Sequence, residues 1–416
     1  MTIRYNDMDV KFGEGEAQWS MEREVLAPSK GLSFSDAWAE TTRFNRIKHD
    51  LSECLSNTIE STVQPCNSEE EVGVALDPVF ERLSKSFFLS NGSINPNLLL
   101  SKANKNTIQK KLQSWADQLN HNVPVIKASP GIKIFHDRFK NVPCIVVTAG
   151  PSLQNAIELL KQMKGRAVIM AVGPSFRPLT KRGIIPDFVN AHDANGPNPQ
   201  LGTGGGPRFF KDAYAKETVA LFVNYIYPGT IEAYDGPRAF YYVEDDSIAV
   251  YKTMALACDG AERQDGSFLP SKIIGGSSVA HTAMYAAIDM GCNPITFVGL
   301  DLSYPDLNRS HFESDNAKDI HQNELIDVMA VNGKIVKTNL SFYSYKTVFD
   351  RMAPLISQAK NVQLFNSSQN DDGSPAGIVH AGLKPMPFKE WCEKFASTER
   401  SELKTILDLH RTFGKY

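Results

Sequence analysis

One segment near the middle of the chain constrains the fold more than any other. An unbroken apolar run, 144–149, leads directly into Gly150-Pro151-Ser152 and then into a segment with helical periodicity, 153–163. Apolar residues that do not alternate are typical of a parallel strand buried on both faces. We predict that Ser152 is the N-cap of the helix, and that the turn offers free N–H groups to an anion.

Two further segments repeat this arrangement. The apolar run 167–172 leads into Gly173-Pro174-Ser175, and a short apolar run leads into Gly275-Gly276-Ser277-Ser278 before a small-residue helix, 279–290. A single turn of this kind is also what an ordinary strand–helix connection contains. Three of them in one chain favour a nucleotide or sugar-phosphate site at the carboxyl edge of a parallel sheet.

Two aspartates are expected at the same edge. Asp193 follows the run 187–192, and Asp301 follows the buried run 295–299. Ligands of open α/β sheets lie beyond the carboxyl ends of the strands. Carboxylates there can bind ribose or sugar hydroxyls, or they can bind Mg²⁺, which prefers oxygen ligands.

Composition excludes several classes of protein. The chain has 416 residues, 42% of them hydrophobic, and a net charge of −3 from 44 basic and 47 acidic residues. This balance gives no general attraction to nucleic acid or anionic membranes. The six cysteines form no metal-ligand cluster, and residues 1–20 do not resemble a signal peptide. No run reaches the roughly 20 apolar residues of a transmembrane helix. We therefore expect a cytoplasmic protein without a nucleic-acid partner.

The pattern along the chain predicts three regions. Residues 1–138 lack buried strands and are expected to form a helical N-terminal extension. Residues 139–385 alternate strand and helix, which predicts an α/β, Rossmann-like, mostly parallel sheet with helices on both faces. Residues 386–416 are expected to form a C-terminal helical tail. Within the middle region, the Gly- and Pro-rich stretch 196–207 predicts a long loop that could cover a substrate.

The ordered set of motifs resembles a known family. They are 142–153, 183–189 with Asp193, 275–279, 291–304, and Asn366 with the polar loop after it. The set is similar to the domain shared by bacterial flagellar motility accessory factors and archaeal hydroxymethylpterin-diphosphokinase-like (MptE-like) proteins. The resemblance covers residues 95–385. Leu300 departs from it, because the family usually carries Gln at this position.

The resemblance implies a Rossmann-like domain related to the bacterial sialyltransferases, which use a CMP-linked sugar. Motility accessory factors are implicated in attaching nonulosonic sugars to flagellin. The resemblance therefore implies a glycosyltransferase with a nucleotide-sugar donor, a protein acceptor such as flagellin or a glycan acceptor, and no required cofactor.

Two alternatives to this reading stay open. The archaeal relatives transfer diphosphate from ATP to a pterin alcohol. In that case Mg²⁺ is required, and Asp193 and Asp301 become its ligands. A third reading is a non-catalytic scaffold that keeps the nucleotide fold for binding a partner.

Two residues are candidates for catalysis. His311 follows the motif 301–304 in a polar loop, where the family tends to carry a His, and an imidazole that titrates near neutrality suits a general base. An exposed loop His without a role is the alternative. Tyr304 resembles the tyrosines with which related sialyltransferases stabilise the leaving phosphate, or it anchors its loop by packing. His192 is expected to be structural.

The binding residues are assigned from the three turns, the two aspartates and, on the resemblance alone, Asn366. They are Gly150, Pro151, Ser152, Gly173, Ser175, Asp193, Gly275, Gly276, Ser277, Ser278, Asp301 and Asn366. The alternative role for the glycines is tight helix–strand packing. The chain contains no P-loop, which argues against P-loop NTPases. Neither Gly-Pro-Ser turn forms a Gly-x-Gly-x-x-Gly fingerprint, and Ser152 lacks a Gly-x-Ser-x-Gly elbow, which argues against dinucleotide dehydrogenases and serine hydrolases.

Overall fold

The computed structural model describes most of the C-terminal three quarters of the chain. The described residues are 2–5, 8–11, 114–197, 205–244, 271–274, 278–304, 312 and 325–408. The chain divides into two compact units, Met1–Leu98 with Gln358–Lys360, and Leu99–Ser357 with Asn361–Tyr416. Most of the predicted N-terminal extension, 12–113, lies outside the described residues.

The first described residues form a hairpin, within the region that was predicted to be a helical extension. Strand β1 (Thr2–Tyr5) pairs antiparallel with β2 (Met8–Lys11), with Thr2 opposite Lys11. The sequence explains the difference, because polar and apolar residues alternate in β2 and the pair Asn6-Asp7 between the strands is typical of a turn.

The main sheet is parallel throughout its described pairs. Its strands are β3 (Cys144–Val147), β4 (Val168–Val172), β5 (Phe188–Ala191), β6 (Val219–Val223), β7 (Arg238–Glu244), β8 (Ser271–Ile274), β9 (Ile295–Val298), β12 (Leu364–Asn366) and β13 (Lys384–Pro385). Their order is β13-β12-β9-β3-β4-β5-β6-β7-β8. Together with the helices between the strands, this sheet confirms the predicted α/β class.

The sheet has a topological switch point between β3 and β9. From β3 the strands follow in chain order to β8, and the chain then returns to place β9 on the other side of β3. Cys144 is in register with Val168 on one side and with Ile295 on the other. Open α/β sheets bind ligands in the crevice at such a point. All residues of β3, β4 and β9 are buried, as their unbroken apolar runs predict.

Helices precede, connect and follow the strands. They are α1 (114–127), α2 (Ile157–Leu160), α3 (Gly173–Thr180), α4 (Pro228–Glu232), α5 (Val279–Asp289), α6 (Leu340–Lys360) and α7 (Phe388–Phe395). Short 3-10 segments occupy Ile132–Phe135, Pro151–Ala156, Gly206–Phe209 and Ser401–Thr405. In the part of the chain that the structure describes, no helix is long and apolar enough to cross a bilayer.

A small hairpin stands apart from the main sheet. Strand β10 (Ile326–Met329) pairs antiparallel with β11 (Ile335–Thr338), and β11 leads into α6. The hairpin is attached to the segment after β9 by a bridge between Tyr304 and Lys337. Tyr304 is thereby placed beyond the carboxyl end of β9.

Candidate functional site

The parallel sheet brings most of the predicted site residues to one edge. The turn 150–152 follows β3, Asp193 follows β5, and Asp301 follows β9. Asn366 ends β12, and Ser278 precedes α5 after β8. Gly275, Gly276, Ser277 and His311 lie outside the described residues. The edge therefore carries every described residue that the sequence assigned to binding.

Asp301 accepts hydrogen bonds from the polar donors of the first turn. The Ser152 N–H donates to Asp301 Oδ2 at 2.8 Å, and the Ser152 hydroxyl donates to Asp301 Oδ1. Asp301 is only 2% exposed. Burial raises the pKa of this carboxyl, and the two hydrogen bonds from Ser152 act in the opposite direction. The two residues form a closed polar pair at the switch point.

The prediction that Ser152 is an N-cap is wrong. The helical segment begins at Pro151, so Gly150 is the N-cap. Proline at the first helical position fixes the backbone angle there and has no N–H to satisfy. Ser152 therefore lies inside the first turn, where its N–H and its hydroxyl bind Asp301.

A glycine is required at position 150 because the backbone after β3 lies very close to the backbone after β9. Its N–H donates to the Gly299 carbonyl at 2.8 Å. A Cβ added to Gly150 would lie 2.3 Å from the Gly299 oxygen and 2.6 Å from Asp301 Oδ2. The structure thus shows the tight packing that was the alternative explanation for this glycine.

The second Gly-Pro-Ser turn also uses its hydroxyl within the protein. The Ser175 hydroxyl lies 2.7 Å from the Val147 carbonyl and 2.9 Å from the Val172 carbonyl. Ser175 is fully buried. Gly173 begins α3, and a Cβ there would lie 3.1 Å from the Phe209 ring. This turn ties together the carboxyl ends of β3 and β4.

The third turn is closed by a capping box between Ser278 and His281 at the N-terminus of α5. Ser278 is the N-cap of α5, and its N–H donates to His281 Nδ1 at 3.1 Å. His281 is fully buried, and burial lowers its pKa to about 3. Its neutral ring therefore accepts at Nδ1 and donates from Nε2 to the Tyr345 carbonyl, 3.1 Å away. The N–H of His281 is capped by the Ser278 side chain. The N–H groups of Val279 and Ala280 have no acceptor within the helix, so they favour an anion.

Asp193 is half-buried and more accessible than Asp301. Its Oδ1 accepts a hydrogen bond from the Asn195 N–H at 2.8 Å. The predicted loop 196–207 begins here, and residues 198–204 lie outside the described part. The two described ends of the loop meet, because the Gly206 N–H donates to the Asn195 carbonyl at 3.1 Å. Asp193 therefore lies at the closed base of this loop.

The two aspartates do not fit a shared Mg²⁺. They follow β5 and β9, which are three positions apart in the sheet, and three spacings of neighbouring strands amount to about 14 Å. Both oxygens of Asp301 already accept hydrogen bonds from Ser152. Among the residues that the structure describes, no three His, Cys, Asp or Glu side chains are grouped as metal ligands.

Tyr304 and Asn366 are held by neighbours. The Tyr304 hydroxyl accepts from Asn339 Nδ2 at 2.5 Å, and its ring stacks on Phe342 with the centroids 5.4 Å apart. Asn366 donates from Nδ2 to the Leu300 carbonyl at 3.3 Å. Both residues are buried, at 3% and 4% exposure. The anchoring role that was the alternative for Tyr304 matches this arrangement, and the catalytic role stays a prediction.

Phe312, the residue after His311, contacts the carboxyl end of β3. The Phe312 N–H donates to the Ala149 carbonyl at 2.7 Å, directly before the first turn. The Arg182 guanidinium lies over the Phe312 ring, 4.8 Å from its centroid. The chain therefore passes the carboxyl end of β3 at the residue that follows His311.

Sequence reasoning missed a polar cluster at the ends of β5, β6 and β7. His192 contacts the hydroxyls of Tyr225 and Tyr241, and Tyr241 contacts Asn190. One signal was present, since residues two apart on a strand share a face and Asn190 and His192 are so spaced. The tyrosines could not be assigned to this face from their own segments.

The buried histidines predict loss of stability in acid. Burial lowers the pKa of His281 and of His380 to about 3, and Lys346 and His281 lower that of His380 further. The unfolded chain, with a His pKa near 6.5, binds protons that the folded chain excludes. Stability is therefore complete above pH 6.5 and falls as pH decreases, by about 2 kcal/mol for each residue at pH 5.

Urea unfolding at pH 7.5 and pH 5 measures this loss. His380→Phe, which places an aromatic ring where His380 contacts Phe349, is expected to reduce the difference in the free energy of unfolding between the two pH values by about 2 kcal/mol. His136→Ala, at an exposed position, is the control. An unchanged pH difference in His380→Phe would contradict the assignment.

The comparisons with known proteins agree with the motifs. The arrangement described above is that of a Rossmann-like α/β protein with a candidate ligand site at the carboxyl edge of its sheet. Residues 117–307 match the family model of 6-hydroxymethylpterin diphosphokinase MptE-like proteins, which confirms the predicted resemblance.

One solved structure and the curated proteins complete the comparison. The structure of the MAf glycosyltransferase from Magnetospirillum magneticum AMB-1 is similar to 71% of this chain, with 17% identity and a TM-score of 0.46. The similarity spans 42% of that longer chain. No curated protein matches the sequence.

Proposed function

We propose that this protein is a transferase that takes a sugar from a nucleotide-activated donor and moves it to a hydroxyl group. One observation carries the proposal: Asp193, Asp301 and the N-terminus of α5 lie at one edge of a parallel sheet. Such an edge is where open α/β folds bind nucleotides. The motifs add the finer proposal, a CMP-linked nonulosonic sugar as donor and a protein, such as flagellin, or a glycan as acceptor.

The proposed chemistry gives one task each to His311, to the N-terminus of α5 and to Asp193. The bond between the anomeric carbon and the phosphate oxygen breaks, and CMP leaves with the electron pair. The acceptor oxygen bonds to the anomeric carbon and gives its proton to His311. The phosphate charge is stabilised at the N-terminus of α5, next to Ser278. Asp193 accepts hydrogen bonds from ribose or sugar hydroxyls.

A Mg²⁺-dependent diphosphokinase is less well supported by this geometry. Transfer from ATP needs a divalent ion on the phosphates. Asp193 and Asp301 follow strands three positions apart, and Asp301 is bound to Ser152. A donor with one phosphate can be neutralised by helix N–H groups without an ion, which favours the sugar donor.

Nucleotide binding tests the proposal. CMP is expected to raise the melting temperature in EDTA, because a ligand that binds only the folded state adds about 2.7 kcal/mol at 100 times its Kd. Asp193→Asn should weaken CMP binding about tenfold by removing a charged acceptor. Asp289→Asn, at the far end of α5, is the matched control.

Two outcomes would contradict the proposal. If no nucleotide at millimolar concentration shifts the melting temperature, the scaffold reading is favoured. If only ATP with Mg²⁺ shifts it, the diphosphokinase reading is favoured.

A further inference from the structure

A chain of hydrogen bonds crosses the carboxyl ends of three neighbouring strands. His192 Nε2 lies 2.7 Å from the Tyr225 hydroxyl, and its Nδ1 lies 3.4 Å from the Tyr241 hydroxyl. The Tyr241 hydroxyl donates to Asn190 Oδ1 at 2.9 Å. These hydrogen bonds thereby join β5, β7 and the segment after β6.

Each hydrogen bond in this hydrogen-bond chain has a defined donor and acceptor. Burial lowers the pKa of His192 to about 4, so the ring is neutral and carries one N–H. Since the Tyr241 proton goes to Asn190, its oxygen accepts from His192 Nδ1. His192 Nε2 is then left to accept the proton of Tyr225. Each of these donors therefore has an acceptor.

The same hydrogen-bond chain reaches the first turn of α5. Burial raises the pKa of Tyr241, and its hydrogen bonds with Thr282 and Asn190 act in the opposite direction. The Thr282 hydroxyl lies 3.1 Å from the Val279 carbonyl and 3.5 Å from Asn190 Oδ1. Thr282 is four residues beyond the N-cap Ser278. His192, inside this hydrogen-bond chain, directly precedes Asp193 in sequence, and Thr282, at one end of it, lies in the turn that Ser278 begins.

Helix α1 contacts the segments that follow β5 and β6. Trp115 stacks on Tyr225 with the ring centroids 5.3 Å apart. Gln118 Nε2 donates to the Ala194 carbonyl at 2.9 Å, and Asn122 Nδ2 donates to the Asn224 carbonyl at 3.0 Å. The backbone directly after Asp193 is therefore fixed by α1 and by the hydrogen-bond chain together.

These polar groups occupy positions that apolar residues usually fill. Asn190 and Tyr241 are fully buried in the middle of a parallel sheet. Asn190 Nδ2 has no hydrogen-bond partner among the described residues. Buried polar groups with incomplete partners are costly, and they are expected where geometry matters more than stability.

We propose that Asn190, His192, Tyr225, Tyr241 and Thr282 form a positioning network that fixes Asp193 relative to Ser278. The inference rests on the proposed function, in which the nucleotide donor binds between these two groups. None of the five residues has to contact the reacting atoms. The network would set donor affinity by holding two binding segments at a fixed separation.

Tyr241→Phe tests the network, because it removes one hydroxyl and preserves the ring. Tyr234→Phe is the matched control: its buried hydroxyl donates to the Thr218 carbonyl at 2.5 Å, before the start of β6. Amide hydrogen exchange of the free protein is followed in 188–197 and 278–289. In Tyr241→Phe, exchange should rise about fivefold in both segments, the worth of one buried hydrogen bond. Tyr234→Phe should leave both segments unchanged.

A second pair of variants uses CMP affinity as the measurement. His192→Gln retains one donor and one acceptor, whereas His192→Leu retains neither. The Kd for CMP should rise about fivefold or more in His192→Leu and less in His192→Gln. Equal effects of the two variants, or faster exchange in Tyr241→Phe that is confined to 188–197, would overturn the network. If the wild type binds no CMP, the proposed function fails, and hydrogen exchange still decides whether the two segments are coupled.

Discussion

Gly150→Ala is expected to destabilise the protein by about 3–5 kcal/mol, the sum of overpacking and of disrupted buried hydrogen bonds. The added Cβ would lie 2.3 Å from the Gly299 oxygen and 2.6 Å from Asp301 Oδ2. The first of these atoms belongs to the backbone after the central strand β9, so it cannot move without disturbing the sheet. Urea unfolding monitored by circular dichroism measures the loss.

Gly165→Ala separates this packing effect from the general cost of replacing a glycine. Gly165 has a φ of +77°, and a Cβ there would meet nothing within 4 Å. Its replacement should cost only the conformational strain of that region, about 1–2 kcal/mol. A loss in Gly150→Ala no larger than in Gly165→Ala would show that β3 and β9 do not approach as closely as described.

His311→Ala is expected to lower turnover by roughly 10²–10⁴-fold, the usual contribution of a general base. Without an imidazole, the acceptor hydroxyl keeps its proton as it attacks the anomeric carbon. CMP affinity should stay within about twofold, because in the proposed mechanism His311 takes its proton from the acceptor hydroxyl and not from the nucleotide. Initial rates of sugar transfer and a CMP titration measure the two effects separately.

His136→Ala is the control for this variant. His136 is exposed, and its Nδ1 lies 2.8 Å from Asp289 Oδ1 at the C-terminal end of α5, far from the carboxyl edge. Its replacement should leave turnover unchanged. Near-normal turnover in His311→Ala would remove that residue from the mechanism and leave the proton acceptor to be found elsewhere at the edge.

The fold could be predicted because its signals are local. The unbroken apolar runs of β3, β4 and β9 identify buried parallel strands, and the polar residues after them identify the edge. The hairpin at the start of the chain was missed. Its strands have four residues each, too few for periodicity to outweigh the helical pattern expected from the neighbouring region.

The site was less predictable because its contacts are distant in sequence. Ser152 was expected to offer its donors to a ligand, but they bind Asp301, which is 149 residues later. His192 meets Tyr225 and Tyr241, which are 33 and 49 residues away. Local patterns identify which residues reach the carboxyl edge of the sheet. Only the order of the strands shows which of these residues form hydrogen bonds with one another.

Cleavage of a CMP-linked nonulosonic sugar in EDTA tests the central claim most directly. The wild type is expected to release CMP in the absence of any divalent ion, faster when a hydroxyl acceptor is present. Asp193→Asn should slow the release, and Asp289→Asn should not. Absence of CMP release, together with ATP consumption that requires both Mg²⁺ and a hydroxymethylpterin, would contradict the sugar-transfer mechanism and identify the protein as a diphosphokinase.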